Sequence, residues 1–246
     1  MGNYKLTIEY DGTGYHGWQR QKKERTLQEE IETALAVMVQ APVTVIGSGR
    51  TDAGVHALGQ VANFHCDTKI TETAFREGLN SLLPEDIVIR ECCRVDPGFH
   101  ARYDAVGKRY RYRILNRHTP SALSRRYEWH IRKPLNRPAM ETAAAHLIGT
   151  HDFKSFEGTG SPRSHTVRSI VSAGFIVPEN DRLEFWIEGN GFLRFMVRNI
   201  VSTLVDVGLG KTSPNQFLKI LQAKDRGKAG ATAPPRGLCL ICVKYE

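Results

Sequence analysis

The chain has 246 residues, 41% hydrophobic and 24% charged, a balance that allows a sizeable core and excludes a low-complexity or fibrous protein. The net charge is +8, and no apolar run approaches the roughly 18 residues needed to span a membrane, so a polyanionic partner is expected and a membrane is not. Five scattered cysteines do not form a disulfide framework, and with a start that lacks a secretory pattern they point to the cytoplasm.

Tyr4, Leu6, Ile8 and Tyr10 alternate with polar residues, which predicts a strand. Thr26 to Ala41 carries Leu27, Ile31, Leu35, Met38 and Val39 on one helical stripe, with a capping box at Thr26 and Glu29 and a stop at Pro42. A strand is expected over 43–46, ending in a glycine-rich loop, and another over 61–66. A helix over 73–83 and a strand over 87–95 follow. In the second half, 109–115 alternates as a strand and 138–148 reads as a helix. A hairpin joins 167–177 to 182–188 around the Pro-Glu-Asn-Asp turn, and 192–207 is a long apolar helix. Ser213-Pro214 opens a further helix to about Lys224, and 238–245 closes as a strand.

Each half therefore follows the order β-α-β-β-α-β, with one extra helix in the second. The expected fold class is α+β: two ferredoxin-like halves, 1–104 and 105–246, forming a central mixed or antiparallel sheet with a cleft. RNA-recognition domains share this topology, but their paired-aromatic signature is absent.

The charge is concentrated. Phe99 to Arg137 holds 11 Lys and Arg against 2 Asp and Glu, a local net of +9 in a chain whose total is +8. In KRYRYRI, Arg109, Arg111 and Arg113 share one strand face, which suits phosphate contacts. Lys108, Tyr110, Tyr112 and Ile114 share the other. Tyr112 is expected in the core, while Tyr110 suits either core packing or stacking on a base.

Two other places could carry chemistry. In GSGRTDAGVHALGQV, Gly47 to Val61, the glycines Gly47 and Gly49 permit backbone angles that bring Arg50 and Asp52 to the end of a strand. Asp52 is then either a turn residue bonded to its own backbone or a nucleophile. In FLRFMVRNIVSTLVDVG, Arg198 interrupts an apolar run. It either snorkels to water or pairs with an anion, with Asp52 and the local Asp206 as candidates. No metal is expected. Cys239 and Cys242 have zinc-ligand spacing, but residues three apart on a strand point to opposite faces, and the histidines are isolated. No dinucleotide or phosphate loop appears, so no cofactor is expected. An aspartate-dependent glycosidase would need a second carboxylate, and none lies in the glycine loop.

Four blocks carry a resemblance: YDGTGYHGWQRQ at 10–21, GRTDAGVHALGQV at 49–61, FHARYDAVGKRYRYRI at 99–114 and MVRNIVSTLVDVG at 196–208. Together they resemble the tRNA pseudouridine synthase A family over nearly the whole chain. The resemblance implies the pseudouridine synthase fold and a cofactor-free isomerase. Its substrate would be uridine in the anticodon stem-loop of tRNA, on the 3′ side of the loop, with the base flipped out of its stack. It implies that Asp52 is the nucleophile, that Tyr110 packs against the target base and that Arg198 pairs with the aspartate. Arg50 would order the loop or hold RNA, beside Arg109 and Arg111. It also implies a homodimer.

Overall fold

The computed structural model describes residues 1–158, 160, 165–179 and 181–246. Packing divides them into two units, Met1–Val106 with Cys239–Glu246, and Gly107–Leu238. No helix among the described residues is long and apolar enough to cross a membrane.

The first unit contains β1 (Gly2–Tyr10), α1 (Leu27–Val39), β2 (Ile46–Gly47), β3 (His56–Cys66), α2 (Glu72–Leu82) and β4 (Ile87–Val95). β1 lies between β3 and β4, antiparallel to both, so Leu6 sits opposite Ala62 on one side and Cys92 on the other. The apolar faces bury Leu6, Ile8, Leu27, Ile31 and Leu35, and the rings of Tyr4, Phe64 and Phe75 meet with centroids 5.0–5.4 Å apart. The aromatic cluster anchors the sheet because such rings combine large buried area with favourable ring geometry.

The strand expected over 61–66 starts five residues earlier, at His56, and two further local expectations change, each for a hydrogen-bonding reason. The strand expected over 43–46 shrinks to Ile46–Gly47. The Val45 N–H donates to Glu32 Oε1 at 3.0 Å and its carbonyl accepts from Gln28 Nε2 at 3.2 Å, so side chains of α1 take the groups a ladder would use. The capping box also fails. Thr26 is the N-cap, but its hydroxyl is buried and makes no hydrogen bond. The first amides of α1 go elsewhere: Leu27 N donates to Gly17 O at 3.2 Å and Gln28 N to Trp18 O at 3.0 Å. A backbone segment caps this helix, where the sequence suggests a side chain.

The free edge of β3 is shared. Ala62 and Asn63 pair with β2, and His56 and Ala57 pair in parallel with Cys239 and Leu240. Those two belong to the last strand of the chain, Leu238–Lys244. The linear order of elements assigns that strand to the second half, yet from Cys239 onward it groups with the first unit.

The second unit contains β5 (Gly107–Asn116), β6 (Trp129–Ile131), α3 (Arg137–Ala145), β7 (Gly149–Asp152), β8 (Val167–Glu179), β9 (Arg182–Gly189), α4 (Met196–Gly208) and α5 (Pro214–Ala223). The last strand is therefore β10. The sheet runs β5-β9-β8-β7, all antiparallel, with β6 added in parallel to the end of β5. β6 and β7 are short and carry no clear alternation, so the sequence did not announce them. The hairpin forms as expected, although Asn180 of its turn lies outside the described residues. α3 is capped by Asn136, whose side chain accepts from Ala139 N, and α5 opens with a complete capping box between Ser213 and Gln216. α4 starts four residues later than its apolar pattern, because Phe195 takes a left-handed φ of 59° and breaks the run.

Candidate active site

The loop carrying Asp52 joins β2 to β3, and its backbone is held at several points, with Ser48 Oγ also donating to Gln60 Oε1 at 2.7 Å. Ser48 N donates to Val61 O at 2.7 Å, and Gln60 Nε2 donates to Gly49 O at 3.0 Å. Trp18 N donates to Thr51 O at 3.1 Å, Gly54 N to Tyr15 O at 3.3 Å, and Val55 N to Asp52 O at 3.1 Å. The Tyr10 hydroxyl meets Thr51 Oγ1 at 2.8 Å. Asp52 thus sits half-buried at a turn whose neighbours on both sides are pinned.

The partner that pins it is the 10–18 segment. Gly17 has φ +92°, and a Cβ there would lie 2.6 Å from Thr51 O. Both the backbone angle and the close approach require glycine. A Cβ on Gly12 would collide with the Val55 carbonyl. Gly12 N also approaches His56 Nδ1 at 3.1 Å, and Asp11 Oδ1 lies 3.0 Å from the same nitrogen. Two motifs that are about 35 residues apart in sequence therefore interlock, and His56 fastens them together.

The glycine expectation needs correction in detail. Neither Gly47 nor Gly49 takes a left-handed angle; Gly54, two residues after Asp52, does, with φ +75°. Gly47 is required by packing, since a Cβ would lie 2.5 Å from the Trp18 indole nitrogen. Arg50 is exposed, and its Nε donates to Gln19 Oε1 at 3.0 Å. Gln19 continues to Gln28 at 3.0 Å, and Gln28 to Glu32 at 2.9 Å, so a relay of polar side chains ties Arg50 to α1. Tyr15, whose carbonyl holds Gly54, has its hydroxyl on Asp86 and its ring under Arg25, 4.5 Å from ring centroid to guanidinium carbon. Burial, then the hydrogen bond to Asp86, pushes that phenol well above its ordinary range.

In the second unit, β5 shows the alternation expected. Tyr110, Tyr112 and Ile114 are buried. The Tyr112 hydroxyl donates to Pro234 O at 2.7 Å, and burial raises its phenol far above the usual value, offset in part by Arg198 and Arg236. Tyr110 meets Phe192 edge to face at 5.1 Å. The arginine face is not bare. Arg109 faces Glu188, Arg111 faces Trp186 and Arg113 faces Glu184 across the β5–β9 pairing. Arg109 pairs with Glu188 at 2.6 Å and Arg113 with Glu184 at 2.8 Å, while Arg111 lies 3.7 Å from Glu184 and 5.6 Å from the Trp186 ring. The three arginines thus share two carboxylates, and the signal was present in sequence as Glu184-Phe-Trp-Ile-Glu188, the complement of the arginine alternation.

Arg198 stands in the first turn of α4 and is half-buried. Its Nε donates to Ala233 O at 2.8 Å, and its guanidinium carbon lies 4.9 Å from the centroid of the Phe195 ring. Asp206, the local candidate partner, holds Lys211 Nζ at 2.9 Å. The side chain is thereby aimed by a carbonyl and an aromatic face. Among the described residues, no group of three or more His, Cys, Asp or Glu is gathered as a metal site, and none of the five cysteines is in a disulfide.

Comparison with known proteins matches residues 6–104 and 143–246 to the family described as tRNA pseudouridine synthase. Three curated relatives carry the name tRNA pseudouridine synthase A. That of Thermoanaerobacter sp. (strain X514) is 49% identical over 245 residues, covering 100% of both chains. That of Acetivibrio thermocellus is 48% identical over 245 residues, again covering 100% of both. That of Geobacter sp. (strain M21) is 48% identical over 246 residues, covering 100% of this chain and 99% of the relative.

Proposed function

This chain belongs to the tRNA pseudouridine synthase family, and we propose that it isomerises uridine to pseudouridine in the anticodon stem-loop of tRNA, on the 3′ side of the loop. The observation that carries this reading is the end-to-end similarity to curated synthases in a chain whose Asp52 stands on a turn pinned from both sides. The reaction breaks the bond between ribose C1′ and uracil N1 and forms one from C1′ to uracil C5. C5 loses a proton and N1 gains one, so nothing is oxidised and no group enters from outside.

Asp52 is the nucleophile in this proposal. A carboxylate suits attack at the anomeric carbon or on the uracil ring. Arg198 supplies the counter-charge to that carboxylate, and the Ala233 carbonyl and the Phe195 ring restrict where its guanidinium points. Tyr110 packs against the target base once it has left its stack. Arg50, Arg109 and Arg111 contribute to holding RNA, with Arg50 also ordering the loop through Gln19. The half 1–104 carries the catalytic loop, and the half 105–246 carries the basic strand and the arginine helix. We further place the protein in the cytoplasm, as a homodimer that needs no cofactor.

The test is tritium release from unmodified tRNA labelled at uracil C5, with no metal or cofactor added. Release by the wild type that is lost in Asp52→Ala supports the assignment. Tight tRNA binding without release would leave an RNA-binding protein and sink the isomerase reading.

A further inference from the structure

The turn at 99–104 holds an aromatic side chain in water and holds it rigidly. Tyr103 is 75% exposed. Its ring stacks on His100 at 4.1 Å between centroids with 27° between planes, and the Arg102 guanidinium carbon lies 5.7 Å from its centroid. An exposed tyrosine on a mobile loop would be unremarkable, but this loop is bolted at every level. His100 Nδ1 accepts from the backbone N–H groups of Arg102 and Tyr103, both at 3.2 Å, so the neutral ring keeps its proton on the other nitrogen. His100 N donates to Asp104 Oδ2 at 2.8 Å, and Tyr103 N and Asp104 N both donate to His100 O at 3.1 Å.

Below the turn, two buried asparagines fasten it to the sheet. Asn3 Nδ2 donates to Phe99 O at 2.8 Å and Asp96 O at 2.9 Å, and Ala101 N donates to Asn63 Oδ1 at 2.9 Å. Asn3 and Asn63 are 1% and 0% exposed, and the bonds to this turn are what those buried amides satisfy. Tyr245 meets Phe99 in a tilted ring pair at 5.1 Å and donates its hydroxyl to Ala101 O at 2.6 Å, and the same hydroxyl reaches Ser48. Ser48 opens the loop that carries Asp52. The turn therefore adjoins the root of that loop within the first unit.

A rigid, exposed aromatic ring flanked by an arginine has the chemistry of a base-stacking platform. We propose that Tyr103, oriented by His100, stacks on an unpaired base of the tRNA loop, with Arg102 contacting the adjoining phosphate. The inference rests on the function proposed above and adds a contact that none of the residues considered there supplies. The rigidity matters because a ring that is already ordered loses little entropy on binding.

The test is equilibrium binding of unmodified tRNA to the full chain at several salt concentrations, for Tyr103→Ala, Tyr103→Leu, Tyr103→Trp and Arg102→Ala. Tyr103→Ala and Tyr103→Leu should bind about tenfold more weakly with an unchanged salt slope, since stacking is not a counterion effect. Tyr103→Trp should stay within about twofold of wild type, because it keeps the π face. Arg102→Ala should lower the slope by roughly one phosphate contact. Equal affinity of wild type, Ala and Leu variants, or a Trp variant as weak as Ala, overturns the platform. In that case tritium release by the wild type leaves the isomerase reading standing. Wild-type protein that binds no tRNA overturns both. A change in oligomeric state at unchanged tRNA affinity overturns the platform in favour of an interface between copies.

Discussion

Between Ser48 and Val55 the chain is held largely through its backbone: groups on Tyr15, Trp18, Gln60 and Val61 fix the path, Gly17 permits the close approach and Gly54 the left-handed angle. Between Gly107 and Asn116 the strand pairing is regular, and it is the charged side chains that find partners, Arg109 on Glu188 and Arg113 on Glu184. On paper both stretches look functional, although the strand carries Lys108, Arg109, Arg111 and Arg113 and the loop only Arg50 and Asp52. The difference lies in what each leaves available. A loop fixed through its main chain can commit a side chain to chemistry without losing shape. A strand whose arginines face buried glutamates spends much of its charge within the fold.

That contrast can be broken most sharply at Asp52. Asp52→Asn is isosteric and leaves the backbone bonds of the turn in place, and should cut turnover by about a thousandfold or more while tRNA affinity and Tm stay near wild type. Near-normal tritium release from this variant would remove the proposed nucleophile. Arg198→Ala should lower kcat by about a hundredfold, the scale for losing one fixed charge in an active site. Arg198→Lys should recover only part of this, since a lysine reproduces the charge but not the planar fork. Full recovery by lysine would mean that geometry at Arg198 is unimportant.

Gly17→Ala tests the backbone half of the comparison. A left-handed angle and a carbonyl 2.6 Å from the new Cβ should cost about 1–3 kcal/mol. A chain of this size should then melt several degrees lower, at roughly 2–4 °C per kcal/mol. kcat should fall with it, because Asp52 directly follows the carbonyl that must move. A stable, fully active Gly17→Ala would show that the interlock does not position the site.

The smallest effects belong to the arginine strand. Arg109→Ala should weaken tRNA binding only a few-fold and lower the salt slope by less than one full phosphate contact. Glu188→Gln should do the reverse, freeing Arg109 and steepening the slope. If Arg109→Ala instead abolishes binding, the pairing with Glu188 does not survive contact with RNA, and the strand is a primary RNA surface after all.

Much of this was legible in the sequence for concrete reasons. The stripe of Leu27, Ile31 and Leu35 buries completely, the alternation of Tyr110, Tyr112 and Ile114 faces a core, and the four motif blocks point to one family. Legibility failed where a group could be satisfied by more than one neighbour. Thr26 has the right residue for a cap, but Gly17 and Trp18 carbonyls arrived first. Val43 to Ile46 has strand-forming residues, but Glu32 and Gln28 took the polar groups of Val45. Phe195 sits in an apolar run, yet a single left-handed angle starts the helix after it.

The sequence by itself determined the class of fold, because periodicity is a local property that survives without coordinates, and its four motif blocks carried the resemblance that singles out Asp52, Tyr110 and Arg198 as the residues to examine. Only the tertiary structure decided that Gly17 and Gly12 grip the aspartate loop, that the arginine face meets two glutamates and that Tyr103 stands rigid and exposed. Those are facts about which distant groups meet, and hydrogen-bonding groups choose partners by proximity in space rather than by order along the chain.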